Sequence, residues 1–208
     1  MLKIVKTTEN LDLEKYSNDG WGLSTKAFDA MQQALDSLSE IRAIEFGSGF
    51  STQFLLDYAE KKNKKLEIDS FDNDVKYKHA EAILTRLVTC SAESYQTMFN
   101  QKKIDWSLFR KRWWKPKSRQ KNCFYDLENY ALKKNYNFAI IDGPHGNGRN
   151  FAYLLLRDRM KDGFILIDDF NHYDFVETAS TIFDLEELVR VEEKRDSFVF
   201  LKVTGERP

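Results

Sequence analysis

The chain has 208 residues, which fits one domain with a sizeable core and leaves little room for a second. Its 32 basic and 33 acidic side chains leave a formal net charge of -1, so there is no global electrostatic case for a nucleic-acid partner. No apolar run approaches the length of a membrane span, and residues 1–17 hold neither an apolar signal core nor a cleavage site, so a soluble cytoplasmic protein is expected.

Strand-like and helix-like patterns alternate along the chain, which predicts parallel strands joined by crossover helices in a three-layer α/β sandwich. A helix over 24–39 carries an apolar stripe at Ala27, Met31, Ala34, Leu35 and Leu38. A buried strand over 42–46 follows and runs into Gly47-Ser48-Gly49, a turn that opens a helix over 51–61. Glycine at 47 and 49 lets the backbone turn sharply and approach a ligand, and the helix beginning at Ser51 presents unpaired N–H groups. A dinucleotide fingerprint would place a third glycine where Thr52 stands.

Next come a strand over 65–71, a helix over 74–86 and a short strand over 87–90, which includes Cys90 as a small core residue. The two cysteines, Cys90 and Cys123, make neither a disulfide framework nor a zinc spacing. Strands over 137–141 and 164–167 flank a helix over 150–160, and a helix over 176–183 leads to strands over 188–192 and 198–203. The last two have no helix between them, so they predict an antiparallel hairpin at the end of the sheet. The connection 93–135 is too long for a simple crossover and reads as an insertion within one domain spanning 1–208. Its basic, tryptophan-bearing part, 110–121, precedes a helix over 125–134. That part reads either as a solvated loop with tryptophans packed back on the domain, or as a rim for an anionic or sugar-like partner; an RNA surface has thinner support.

Two groups of residues carry the chemistry. Asp72 closes the second strand, where it could accept hydrogen bonds from a ribose, with a helix cap as the competing role. Ser91, Ala92 and Glu93 follow the third strand and are placed on the adenine side. Asp142 ends the fourth strand and the Asp168-Asp169 pair ends the fifth; if these strands are neighbours, three carboxylates converge, and a divalent metal would relieve their repulsion. Singly, each could be a cap. His145, three residues past Asp142, is placed to take a proton from a hydroxyl. Arg149 is read evenly as a substrate clamp or a solvent-facing side chain, and His172 as a surface residue. The segment Trp21-Gly22-Leu23-Ser24 either closes over a ligand or packs on the domain.

With Glu45 ahead of Gly47 and Gly49, the first group resembles motif I of the class I S-adenosylmethionine-dependent methyltransferases. The resemblance implies a Rossmann-like, mostly parallel seven-stranded sheet with a C-terminal antiparallel hairpin. It places S-adenosylmethionine against Glu45, Gly47, Ser48, Gly49, Ser51, Asp72 and Asp142. The second group resembles the cation-dependent sugar O-methyltransferases of the macrocin and mycinamicin kind, which implies magnesium on Asp142, Asp168 and Asp169 with His145 as base. The Asp-Gly-Pro-x-Gly run with Gly148-Arg149 also resembles a motif of the glucuronoxylan O-methyltransferases. The partner expected is a small-molecule or glycan acceptor, with no membrane, nucleic acid disfavoured and self-association left open. The competing readings are a metal-independent methyltransferase of a small molecule or protein, a non-catalytic module docking RNA or protein through 110–121, and a nicotinamide-dependent dehydrogenase.

Overall fold

In the computed structural model, which describes residues 11–17, 22–111, 121–194 and 196–208, chain order runs through a mixed series of strands and helices. These are α1 (Thr25–Ser37), β1 (Ile41–Phe46), α2 (Phe50–Lys62), β2 (Leu66–Asp72), β3 (Ile83–Leu84), β4 (Leu87–Thr89) and α3 (Ala92–Asn100). The second half holds β5 (Arg110–Lys111), β6 (Cys123–Tyr125), β7 (Phe138–Ile141), α4 (Phe151–Leu156), β8 (Gly163–Asp168), α5 (Phe175–Ile182), β9 (Phe183–Glu193) and β10 (Asp196–Glu206). Ser24 caps α1 by accepting the Ala27 N–H, and α2 stops where Asn63 turns left-handed at φ 48°.

Seven strands form one sheet in the order β3-β2-β1-β7-β8-β10-β9. All pairs are parallel except those of β10, which runs antiparallel to both β8 and β9 and makes the expected terminal hairpin. Alternation along β1 sends Ile41 and Ala43 to one face, with α1 and α2, and Ile44 and Phe46 to the other, with α4 and α5. Register fixes the functional edge: Phe46 pairs with Phe71 and Ile141, and Ile141 with Ile167, so the residues that follow these strands emerge side by side. Among the described residues no helix is long and apolar enough to cross a membrane.

Three sequence expectations fail in the middle of the chain. Residues 74–82 are turns and not a helix, because side chains satisfy their backbone in other ways. Asp72 accepts the Asp74 N–H at 2.8 Å, Ser48 Oγ accepts the His79 N–H at 2.9 Å, and the Lys78 ammonium donates to the carbonyls of His79 and Ala82, each at 2.6 Å. The strand expected over 87–90 leaves the main sheet. It becomes β4, the centre of a separate sheet ordered β5-β4-β6, while β3 takes the outer position beside β2. The helix expected over 125–134 is also absent, since Cys123, Phe124 and Tyr125 pair as β6 with β4 and are buried on both faces.

The insertion extends the core. Phe124 lies 5.2 Å from Phe46 between ring centroids, and Phe109 lies 5.1 Å from Phe151 and 5.3 Å from Trp106. Gly148 permits this closure, because a Cβ there would stand 1.5 Å from the Cys123 carbonyl oxygen. The tryptophans at 113 and 114, with most of the basic run, lie outside the described residues. The returning chain is fastened by Asp69, which is 2% exposed within β2. Its carboxylate accepts from the Lys133 ammonium at 2.6 Å, Tyr136 Oη at 2.5 Å, Tyr130 Oη at 3.2 Å and the Lys133 N–H at 3.2 Å.

Burial alone would raise the Asp69 carboxyl, but the hydrogen bonds from Lys133 and Tyr136 outweigh it and lower its pKa. The folded state therefore holds the proton less tightly than the unfolded chain. The stabilisation is complete above the ordinary aspartate range and is lost as pH falls through the lowered folded value. Asp69→Asn should cost about 1.5–3 kcal/mol at neutral pH, the worth of hydrogen bonds to a charged group. Urea unfolding at neutral and acidic pH checks this, and the gap between variant and wild type should narrow in acid.

Candidate active site at the carboxyl edge of the sheet

The turn after β1 is held from beneath by Glu45, which is fully buried. Thr52 Oγ1 and Ser70 Oγ each donate to its carboxyl at 2.5 Å, and Ser51 Oγ donates to the other oxygen. Thr52 thus explains the absence of a third glycine: that position contributes a hydroxyl to Glu45 and not a close backbone contact. Gly47 sits at φ +89° and Gly49 at φ +151°, conformations that a side chain would strain. Asp72 Oδ2 accepts from the Ser48 N–H at 3.0 Å and from Ser48 Oγ at 2.9 Å, which ties the turn to the end of β2.

A cavity of about 690 Å³ opens above this turn, a volume in the usual range for a small-molecule site. Gly47, Ser48, Gly49, Ser51, Asp72, Asp142 and His145 all line it, so residues separated along the sequence are brought to one wall. Glu45 is the exception, since it lies below the wall and supports Ser51 and Thr52. Gly22 and Leu23 also line it, while Trp21 is outside the described residues. Ser91, Ala92 and Glu93 are not among the lining residues, whereas Tyr77, Lys78, His79 and Ala80 are. Ser91 instead caps α3, accepting the Ser94 N–H at 3.0 Å.

Tyr125 is among the lining residues that the sequence did not single out. It enters from β6 and stacks on Phe46 with ring centroids 5.9 Å apart. Burial, then the neighbouring Asp72 and Asp142, raise its phenol well above the ordinary value, so it stays a neutral hydroxyl. A Cβ on Gly143 would stand 2.3 Å from its oxygen, so glycine at 143 makes room for it. The signal was the apolar run Cys123-Phe124-Tyr125, which has strand character but begins immediately after the basic segment.

The loop after β7 closes the site. The Phe46 carbonyl accepts both the Asp142 N–H at 2.8 Å and the Gly143 N–H at 2.6 Å. His145 is exposed and borders both the larger cavity and a second one of about 210 Å³, which Arg149, Asp169, His172, Tyr173 and Phe175 also line. His172 is thus at the surface and beside the site, with Nδ1 3.5 Å from Asp169 Oδ2.

The structure brings Asp142, Asp168 and Asp169 together as expected, but a side chain supplies the counter-charge. Arg149, 2% exposed, places Nη2 3.8 Å from Asp142 Oδ1 and 3.9 Å from Asp169 Oδ2, and Nη1 donates to the Asp168 carbonyl at 2.8 Å. Arg149 is therefore not the solvent-facing side chain that was one of the two expectations, and it lines the smaller cavity. Burial, followed by the charges of Asp142 and Asp169, raises the Asp168 carboxyl well above its usual value, with Arg149 opposing. Unit charges 4 Å apart interact by about 4 kcal/mol at an effective dielectric constant near 20, so a divalent ion that close to the guanidinium would meet roughly twice that repulsion. Among the described residues no group of three or more His, Cys, Asp or Glu side chains is arranged to hold a metal. As arranged, these residues do not fit magnesium.

No protein-family model matches the chain, and no curated protein matches it in sequence. Among solved structures it is similar to cofactor-bound Rv0187 from MTB, with a TM-score of 0.52 and 11% identity over 93% of this chain and 86% of that one. It is also similar to a precorrin-6y C5,15-methyltransferase from Geobacter metallireducens GS-15, with a TM-score of 0.48 and 9% identity over 94% of this chain and 98% of that one. An rRNA methylase from Streptococcus thermophilus gives a TM-score of 0.43 and 11% identity over 88% of this chain and 96% of that one. At such identities the likeness to Rv0187 shows a shared fold and leaves function to the site itself.

Burial is the main force on Glu45 and pushes its carboxyl up to about 7 from an ordinary 4.5, against the three hydroxyl donors. The folded state then binds this proton more tightly than the unfolded chain. The contribution to stability is complete below 4.5 and is lost as pH rises to about 7. Each pKa unit is worth 1.36 kcal/mol, so the loss is on the order of 3 kcal/mol. Glu45→Gln should flatten the pH dependence of the melting temperature in that window, and an unchanged slope would place the titration elsewhere.

Proposed function

We propose that the chain is a methyltransferase that uses S-adenosylmethionine and methylates a hydroxyl of a sugar, either in a glycan or in a glycosylated small molecule. One observation carries the reading: the glycine turn, Asp72 and Asp142 line a single cavity of small-molecule size, and His145 borders both this cavity and the adjoining one. The methyl donor, when bound, supplies an electrophilic methyl group. The motif resemblance and the fold support this donor, and the mixed polar and aromatic lining of the smaller cavity supports a sugar acceptor.

The residues then have distinct tasks. Gly47 and Gly49 let a ligand approach the backbone at the start of α2. Asp72, oriented by Ser48, keeps acceptor lone pairs for the hydroxyls of a ribose. Phe50 and Tyr77, 46% and 56% exposed at the cavity wall, offer faces to a purine. Tyr173 and Phe175 offer apolar surface to an acceptor in the smaller cavity. His145, beside both, takes the proton from the acceptor hydroxyl as the new bond to carbon forms. No step runs through a metal ion.

A competing binding module would act through 110–121, most of which lies outside the described residues, and no observation favours it. His145→Ala should slow S-adenosylhomocysteine release, measured with a panel of glycoside acceptors, by about 10²–10⁴-fold while leaving donor affinity nearly unchanged. Equal rates for variant and wild type would remove His145 from the mechanism.

A further inference from the structure

Arg149 is more firmly built into the acidic cluster than a substrate-binding side chain needs to be. Its Nε donates to the Pro144 carbonyl at 2.9 Å and its Nη1 to the Asp168 carbonyl at 2.8 Å, which together fix the plane of the guanidinium. The Phe175 ring lies 5.5 Å from its central carbon. With the group so held, Nη2 faces Asp142 on one side and Asp169 on the other. Asp142 lines the larger cavity and Asp169 the smaller, so the guanidinium stands on the boundary between them. Arginine carries its charge at every accessible pH, and this one cannot swing out without giving up its hydrogen bonds to two backbone carbonyls.

We infer that Arg149 is the resident cation of this cluster, standing in place of the divalent ion that the sequence resemblance implies. The carboxylates of Asp142 and Asp169 face a covalently attached positive charge, which also opposes the rise of the Asp168 carboxyl. The site is therefore assembled in the absence of metal and its geometry is indifferent to chelators. A divalent ion would need several oxygen ligands from the same three side chains and would have to displace the guanidinium to reach them. The inference concerns charge balance at the site. Its test reads ion binding and not transfer, so its failure is distinguishable from failure of the methyltransferase reading.

The experiment is a titration of the full chain with Mn²⁺, read by the electron paramagnetic resonance of the free ion, for wild type, Asp169→Asn, Arg149→Met and Arg149→Met/Asp169→Asn. Methionine keeps apolar length against Phe175 and removes the charge. Wild type should show no saturable sub-millimolar binding, Arg149→Met should gain one site, and the added Asp169→Asn should abolish it. The melting temperature of wild type should be the same in EDTA and in magnesium, whereas that of Arg149→Met should rise with magnesium. Saturable binding by wild type that Asp169→Asn removes would overturn the inference, as would a folded Arg149→Met variant that gains no ion. Should Arg149→Met fail to fold, the wild-type titration and its melting temperatures decide the matter alone.

Discussion

The carbonyl of Phe46 accepts two N–H groups from the loop after β7, those of Asp142 and Gly143, and the rest of the edge depends on that junction. It draws two loops so close that a Cβ on Gly47 would stand 3.0 Å from the Gly143 nitrogen, at a backbone angle where a side chain is already strained. Glycine on both sides is the condition for this approach. With the loops joined, Asp142 and His145 are delivered to the same wall as the glycine turn, and Tyr125 fits beneath them. The parallel register of β2, β1, β7 and β8 supplies the remaining residues at the same height.

Each buried acid around this edge is matched to a different kind of partner. Glu45 receives only hydroxyls, which leave its proton attached near neutrality. Asp72 receives the backbone and side chain of Ser48, and Asp69 an ammonium and two phenols. The cluster at Asp142, Asp168 and Asp169 receives a guanidinium. Hydroxyls alone leave the buried Glu45 carboxyl raised, whereas the Lys133 ammonium and Tyr136 hold Asp69 below its ordinary value.

Much of the architecture was legible because it is local. The stripe in α1, the buried run of β1, the glycine turn and the terminal hairpin each declare themselves within a short stretch of chain, and all are present. Six of the seven residues assigned to the donor site reach one cavity, since strand ends on a parallel sheet share an edge. What failed was non-local. Residues 87–89 have strand character in either sheet, and only the pairing with 110–111 and 123–125 decides which one they join. Residues 74–82 look helical until Ser48, 31 positions before His79, accepts a backbone N–H. Arg149 could not be assigned because its burial depends on carbonyls 5 and 19 residues away.

The cavity above Gly47 and Gly49 is proposed to take an S-adenosyl ligand. Calorimetric titration of the full chain with S-adenosylhomocysteine, beside NAD as a control, tests it most directly. Saturable one-to-one binding of the S-adenosyl compound, lost in Gly47→Ala, and no heat with NAD are expected. Binding of NAD, or of neither ligand to folded protein, would contradict it.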